Sequence, residues 1–330
     1  MQTLSEERVR EILKNIEGKE IAVIGDVMLD RYFWGKVTRI SPEAPVPVID
    51  IEKETFHLGG AANVASNLRS LGADVLLCGL IGDDNSGRNF VELVEKCGMS
   101  SAGLYVDKKR PTTVKTRVIG NNQQIVRLDR EARAAIEAEV IEYFLDLFKK
   151  RDNLSAIILE DYNKGVMTKD VIHRVIAFAS DYGIPVFVDP KLVNFFEYRD
   201  VTVFKPNRKE AQEALGFTLT TDNDVIRAGQ SLLEKLNCEN VLLTLGEHGM
   251  MLFEKDGNIA SVPTKARHVA DVSGAGDTVI ATLAAAVSGG ATMREASALS
   301  NIAAGVVCEE PGIVSITPAA LLKALEEELL

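Results

Sequence analysis

Short, unbroken apolar runs recur along the chain, at 21–25 (IAVIG), 75–80, 156–159, 186–188, 201–204 and 241–245. A strand open to solvent on one side alternates apolar and polar residues, so a run without alternation belongs in a strand covered on both faces. Most of the intervening stretches instead carry apolar residues at three- and four-residue spacing. Ala61, Val64, Ala65, Leu68 and Leu71 mark one such stripe, and Gly72 follows it as a C-terminal stop. Helices are expected likewise at 137–149, 169–182, 225–236, 276–287, 293–307 and 318–329. Strands alternating with helices call for a mainly parallel sheet with helices on both faces, an α/β fold.

Two segments break the rhythm: 31–56, with Pro42, Pro45 and Pro47 close together, and 112–128, rich in alternating β-branched residues. Neither suits a long helix, and the two are expected to pair as a small β-layer beside the main sheet. The 330 residues, 46% of them hydrophobic, suffice for one domain over 1–330 with that layer as an appendage. A net charge of −11 offers no broad positive field for nucleic acid or an anionic membrane, so an anionic ligand must meet locally clustered cations. Cys78, Cys97, Cys238 and Cys308 form no CxxC pair, which argues against a zinc or redox site. The N-terminus lacks the pattern of a secretory signal and no stretch approaches a membrane span, so a cytoplasmic location is expected.

The most informative stretch is DVSGAGDT at 271–278, directly before an apolar helix. Gly274, Ala275 and Gly276 let the backbone approach a ligand, and the free N–H groups of a first helical turn favour an oxyanion such as phosphate. An isolated Asp277 would read as a helix cap. Within GAGD its carboxylate would lie beside the bound phosphoryl group, where a base is useful.

GAGD at 274–277, with Gly59-Gly60-Ala61-Ala62-Asn63 upstream, resembles the paired signatures of the ribokinase-like (PfkB) sugar kinases. The resemblance implies a ribokinase-like three-layer αβα sandwich, with a mainly parallel central sheet and a small β-sheet lid formed by 31–56 and 112–128. It implies ATP-dependent phosphorylation of a sugar hydroxyl, with Asp277 as general base and 274–276 as anion hole. Gly59, Gly60 and Asn63 inherit the family's sugar site, and Asp26 and Asp30 its hydroxyl-binding aspartates. Asn207 and Glu210 match the NxxE motif that orders water and Mg²⁺ near the triphosphate, although Asn and Glu at this spacing also make an ordinary capping box. Thr244 and Gly246 fall on the nucleotide rim and Asn301 on the adenine side. Asp271 and Ser273, with Ser315, are oxygen donors for a monovalent cation such as K⁺.

Longer strings, among them GDVMLDRY at 25–32, RISPEAPVPV at 39–48, NQQIVRLD at 122–129 and DYNKG at 161–165, resemble the kinases of that family that act on D-glycero-β-D-manno-heptose 7-phosphate at O1. The product would be the 1,7-bisphosphate, on the way to ADP-heptose and the lipopolysaccharide core. A substrate phosphate needs cations, for which Arg117, Lys164 and Lys191 are favoured over Lys115 and Arg127, with Asp189, Asn121 and Gln123 beside them. Each of these cations taken alone also reads as a surface charge. A homodimer clasped through the β-layer is implied. Such kinases are often fused to a nucleotidyltransferase, but none of His57, His173, His248 and His268 forms an HxGH motif, so a stand-alone kinase with a separate adenylyltransferase is expected. The rival readings are a family kinase for ribose, fructose or fructose 6-phosphate, and a catalytically silent sugar or nucleotide binder. A dinucleotide-binding protein is disfavoured, because GDVML rather than GxGxxG follows the first run.

Overall fold

In this computed structural model, which describes residues 4–264 and 269–329, α1 (Glu6–Ile16) turns Val9, Ile12, Leu13 and Ile16 inward and leads into β1 (Glu20–Gly25). His268 lies outside the described residues. Within β1, Ile21 and Val23 join one apolar cluster, and Ala22 and Ile24 join another on the opposite face, which explains the unbroken run. The chain continues through β2 (Val27–Ile40), β3 (Pro47–Gly60), α2 (Ala61–Ser70), β4 (Asp74–Gly82), α3 (Asn85–Lys96), β5 (Leu104–Asp107), β6 (Val114–Gly120) and β7 (Gln123–Arg130). After α4 (Ala138–Lys149) come β8 (Leu154–Glu160), α5 (Lys169–Tyr182), β9 (Val186–Asp189), β10 (Val203–Phe204), α6 (Arg208–Leu215) and α7 (Asp222–Leu236). The remainder is β11 (Asn240–Thr244), β12 (Met250–Glu254), β13 (Ile259–Val262), α8 (Ala275–Ser288), α9 (Met293–Cys308) and α10 (Pro318–Leu329).

The large sheet has the order β13-β12-β11-β10-β9-β8-β1-β4-β5, with every pairing parallel except those of β12 with β11 and β13, so that β12 alone runs in the opposite direction. The chain runs outward from β1 through β4 to β5, then returns to lay β8 on the other flank of β1 and proceeds through β9 and β10. The strand order therefore reverses between β1 and β8, where a crevice opens beyond the carboxyl ends of the strands. The apolar run at 201–204 yields only the two residues of β10, and α3, β5, α6, β12 and β13 add elements beyond those expected.

The segments 31–56 and 112–128 fall within a second sheet of order β3-β2-β6-β7. Its register aligns Asp30 with Lys115, and Tyr32 with Arg117 and Arg127. With a side-chain period of two, these residues share one face, and Phe33, Val118, Val126 and Leu128 share the other.

Two devices fix α2, which follows directly from this sheet. Gly60 ends β3 and begins α2 at φ 59°, where a Cβ would strike the Asp26 carbonyl oxygen. Asn67, fully buried on α2, donates to the Asn63 carbonyl at 2.9 Å, while its own side-chain oxygen accepts from the Ile316 N–H at 3.0 Å and from the Thr278 hydroxyl at 3.3 Å. One amide thereby ties α2 to α8 and to the chain before α10. Asn67→Ala should leave the Ile316 N–H and the Thr278 hydroxyl without the acceptor they share, and is expected to cost about 3 kcal/mol in urea denaturation. A loss below about 0.5 kcal/mol would show that the tie carries no weight.

Candidate active site

Gly274 starts α8 at φ 80°, and a Cβ there would lie 2.6 Å from the Asn63 amide nitrogen. Asp277 stands three residues further on, and its side chain does not cap the helix. Its Oδ2 accepts from Asn63 Nδ2 at 2.8 Å and its Oδ1 from the Tyr162 hydroxyl at 2.7 Å. The capping alternative is thus set aside, and the carboxylate is aimed by two side chains from elsewhere in the fold. Burial pushes its pKa up to about 6, against the pull of the Asn63 and Tyr162 donors. Asp189 adds to the rise and Lys205 opposes it. Gly60 is the cap residue of α2, and Asn207 and Glu210 form the reciprocal capping box that their spacing allows.

Beside Asp277 lie the last residues of two buried strands, Glu160 of β8 and Asp189 of β9. One carboxylate oxygen from each of the three lies within 4.8 Å of the other two. Lys205, just past β10 and only 2% exposed, sets its Nζ 2.8 Å from Asp189 Oδ2. Neither oxygen of Glu160 has a hydrogen-bond partner. Burial, then Asp189 and Asp277, push the Glu160 pKa well above the usual carboxylate range, favouring the neutral acid. No sequence motif assigned a role to Glu160, Lys205 or Tyr162. The signal that points to Glu160 is that the run of β8 ends on a carboxylate, at the strand end where such sheets open.

Asp26, expected to bind a sugar hydroxyl, has a different occupation in this structure. Its carboxylate accepts from the backbone N–H groups of Tyr162 and Lys164, both at 2.9 Å, and of Val166 at 3.1 Å. Three backbone donors leave it little accepting capacity, so it secures the loop that follows β8. Asp30 instead pairs with Arg117 across the second sheet, and the Arg117 guanidinium lies 5.1 Å from the Tyr32 ring centre. Gly59 makes room for this pair, since a Cβ there would collide with Asp30 Oδ2.

The other predicted residues divide into near and far. Lys191 Nζ is 2.6 Å from Glu210 Oε1 and 5.3 Å from the centre of the Tyr162 ring. Glu210 Oε2 accepts from the Asn207 N–H at 2.9 Å. Lys164 faces Glu131 at 2.6 Å. Gly276 borders the cluster, 3.6 Å from Lys205 Nζ at the position a Cβ would take. Thr244 ends β11 and is bridged to Asn207, and Gly246 opens the short turn that follows. Asn301 donates to the Pro263 carbonyl at 2.9 Å and so pins the chain leaving β13. Asp271 accepts from the Ser273 and Gly312 N–H groups, while Ser315 lines a cavity of about 180 Å³ with His57, Asn63 and Ser66. Asn121 lies in the β6–β7 turn at φ 53° with its amide bonded to the backbone of Val37, and Gln123 is the first residue of β7. That turn lies about 13 Å along the strand from Arg117.

Residues 19–320 match the description "pfkB family carbohydrate kinase". The bifunctional protein HldE of Pelobacter propionicus is 42% identical over 318 residues, 96% of this chain and 65% of that protein. HldE of Geobacter sulfurreducens is 43% identical over 307 residues, 92% of this chain and 62% of that protein. The chain thus spans less than two thirds of these relatives. Among solved structures, phosphofructokinase-2 from Escherichia coli in complex with potassium superimposes with a TM-score of 0.78 at 18% identity, covering 95% of this chain and all of that one. Arabidopsis thaliana ribokinase complexed with ribose and ATP gives 0.75 at 20% identity, covering 94% and 99%. At these identities the structural likeness establishes a ribokinase-like fold.

The raised Asp277 pKa has a measurable consequence for stability. Its ordinary value is 3.8 and its folded value about 6, so the folded state holds a proton that the unfolded state releases between them. The group's contribution is fully present below pH 3.8 and is lost as pH rises through 6, a change of about 3 kcal/mol. Asp277→Asn cannot titrate, so urea denaturation at pH 4.5 and pH 7 should differ less in the variant than in the wild type. Equal differences would contradict the buried, raised carboxyl.

Proposed function

The chain belongs to the pfkB family of carbohydrate kinases, and on that premise we propose that it transfers the γ-phosphoryl group of ATP to O1 of D-glycero-β-D-manno-heptose 7-phosphate. The observation that carries the chemistry is the buried Asp277 carboxylate at the start of α8, aimed by Asn63 and Tyr162. With a pKa of about 6 it is mostly ionised at neutral pH yet more basic than an ordinary carboxylate, which suits it to accept a hydroxyl proton. The hydroxyl oxygen then bonds to the γ-phosphorus as the bond to the β-phosphate oxygen breaks, and ADP departs. The positive end of α8 and the small residues 274–276 favour the anionic phosphoryl group in transit.

A divalent cation such as Mg²⁺, when bound, would neutralise charge on the triphosphate. Both Glu210 oxygens are already engaged, by Asn207 and Lys191, which suits a contact through water rather than direct ligation. A K⁺ site beside Asp271 and Ser273, near the same helix start, is part of the proposal.

For the sugar phosphate, the supporting features are the heptose-kinase-like strings and the shared face of Lys115, Arg117 and Arg127 in the second sheet. In this structure Arg117 is paired with Asp30, and Lys115 and Arg127 with Asp129, so these five residues carry one more cation than anion. The second sheet would act as the lid of the single domain, closing over the crevice to exclude water. Its other face exposes Val126 at 41% and Leu128 at 57%, which supports a homodimer formed through it. No helix among the described residues is long and apolar enough to cross a membrane. A cytoplasmic setting is proposed, where ATP is available.

Turnover by Asp277→Asn should fall by roughly 10²-fold or more while ATP and sugar phosphate still bind, as read by ADP release and calorimetry. A variant that turns over like wild type removes the base. Across a panel of sugars and sugar phosphates, heptose 7-phosphate should give the highest kcat/KM, and preference for ribose, fructose or fructose 6-phosphate would reassign the substrate within the family. Arg117→Ala should raise KM for the sugar phosphate at least tenfold more than for ATP, and equal effects would refute a substrate-phosphate contact.

A further inference from the structure

We propose that Tyr162 is a positioning residue for the base, and that Asp26 acts at one remove by fixing the loop that carries it. The inference rests on Asp277 being the base, and it concerns how that carboxylate is held. The Tyr162 hydroxyl lies 2.7 Å from Asp277 Oδ1, while its own N–H is held by Asp26 at 2.9 Å. Asp26 also binds the N–H groups of Lys164 and Val166, so the loop is fixed at the ring's attachment and beyond it. The buried Asp26 carboxylate thereby serves the site without touching Asp277, because a shift of the loop would carry the Tyr162 hydroxyl off the base.

The direction of the hydrogen bond is settled by the surroundings. Burial, followed by the negative charge of Asp277 and then of Asp189, pushes the Tyr162 phenol well above its usual pKa, so it keeps its proton and donates it. Asp277 therefore receives one donor on each oxygen, from α2 through Asn63 and from the loop after β8 through Tyr162. The carboxylate cannot turn without breaking one of them. The remaining groups facing it are Glu160 at the end of β8, Asp189 at the end of β9 and Lys205 beyond β10. On the far side of the Tyr162 ring stands Lys191, paired with Glu210.

Tyr162→Phe removes one oxygen and keeps the ring. Donation stabilises the ionised carboxylate, so its loss raises the Asp277 pKa. The acid limb of the kcat/KM profile for heptose 7-phosphate, or for the best acceptor of the panel, should move up by about one pH unit. The substrate's own phosphate titrates alike in both enzymes, and KM for ATP should stay within about twofold. Tyr198→Phe is the control, because it deletes a like bond of 2.8 Å to Asp161 and should leave the limb in place. Incorporating 3-fluorotyrosine at 162 keeps the oxygen and strengthens its donation, so the limb should move down. An unmoved limb in Tyr162→Phe, or an equal shift in Tyr198→Phe, overturns the proposal. Activity retained by Asp277→Asn would instead overturn the base assignment on which it rests.

Discussion

Three carboxylates and one lysine are buried together at the mouth of the crevice, and the surrounding structure is arranged around the repulsion among the carboxylates. Glu160, Asp189 and Asp277 could not all ionise so close together in a low-dielectric setting without a large penalty. Lys205 offsets part of it through Asp189, and the unpartnered Glu160 avoids its share by favouring its neutral form. Asp277 is left as the member of the cluster whose charge is supported by two donors and a helix start. Burial makes it more basic and the donors keep it ionised, and a base working near neutral pH needs both.

The donors are only as well placed as their supports. Asn63 is tied to Asn67, which is tied to α8 and to the Ile316 N–H. Tyr162 hangs on a loop held by Asp26 at the end of β1. The reversal of strand order between β1 and β8 brings these pieces together, because it places the ends of β1, β8 and β9 around one opening while α8 starts beside them. On the proposed reading, the sheet positions the base and the second sheet brings cations to the substrate.

Much of this was legible in the sequence, for physical reasons that differ by element. The buried strands announced themselves because both faces are covered, and α5 fell on the predicted limits because Thr168 caps its start and Gly183 its end in the left-handed conformation. α3 was missed because its buried face rests mainly on Phe90 and Val94, too few positions to set a period. The antiparallel pair β12 and β13 was missed because it adds to the sheet edge without an intervening helix. GAGD and GGAAN were visible as motifs, yet nothing in their spacing said that Asn63 reaches across to Asp277. Glu160, Lys205 and Tyr162 escaped notice because their proximity is created by strand order.

The account's central claim concerns one proton and one phosphoryl group, and a structure of the protein bound to a non-hydrolysable ATP analogue and heptose 7-phosphate tests it most directly. The account predicts the sugar hydroxyl about 3 Å from an Asp277 oxygen, with the terminal phosphate of the analogue against residues 274–276. A triphosphate seated elsewhere, or a sugar whose hydroxyls all lie beyond hydrogen-bonding reach of Asp277, would contradict it.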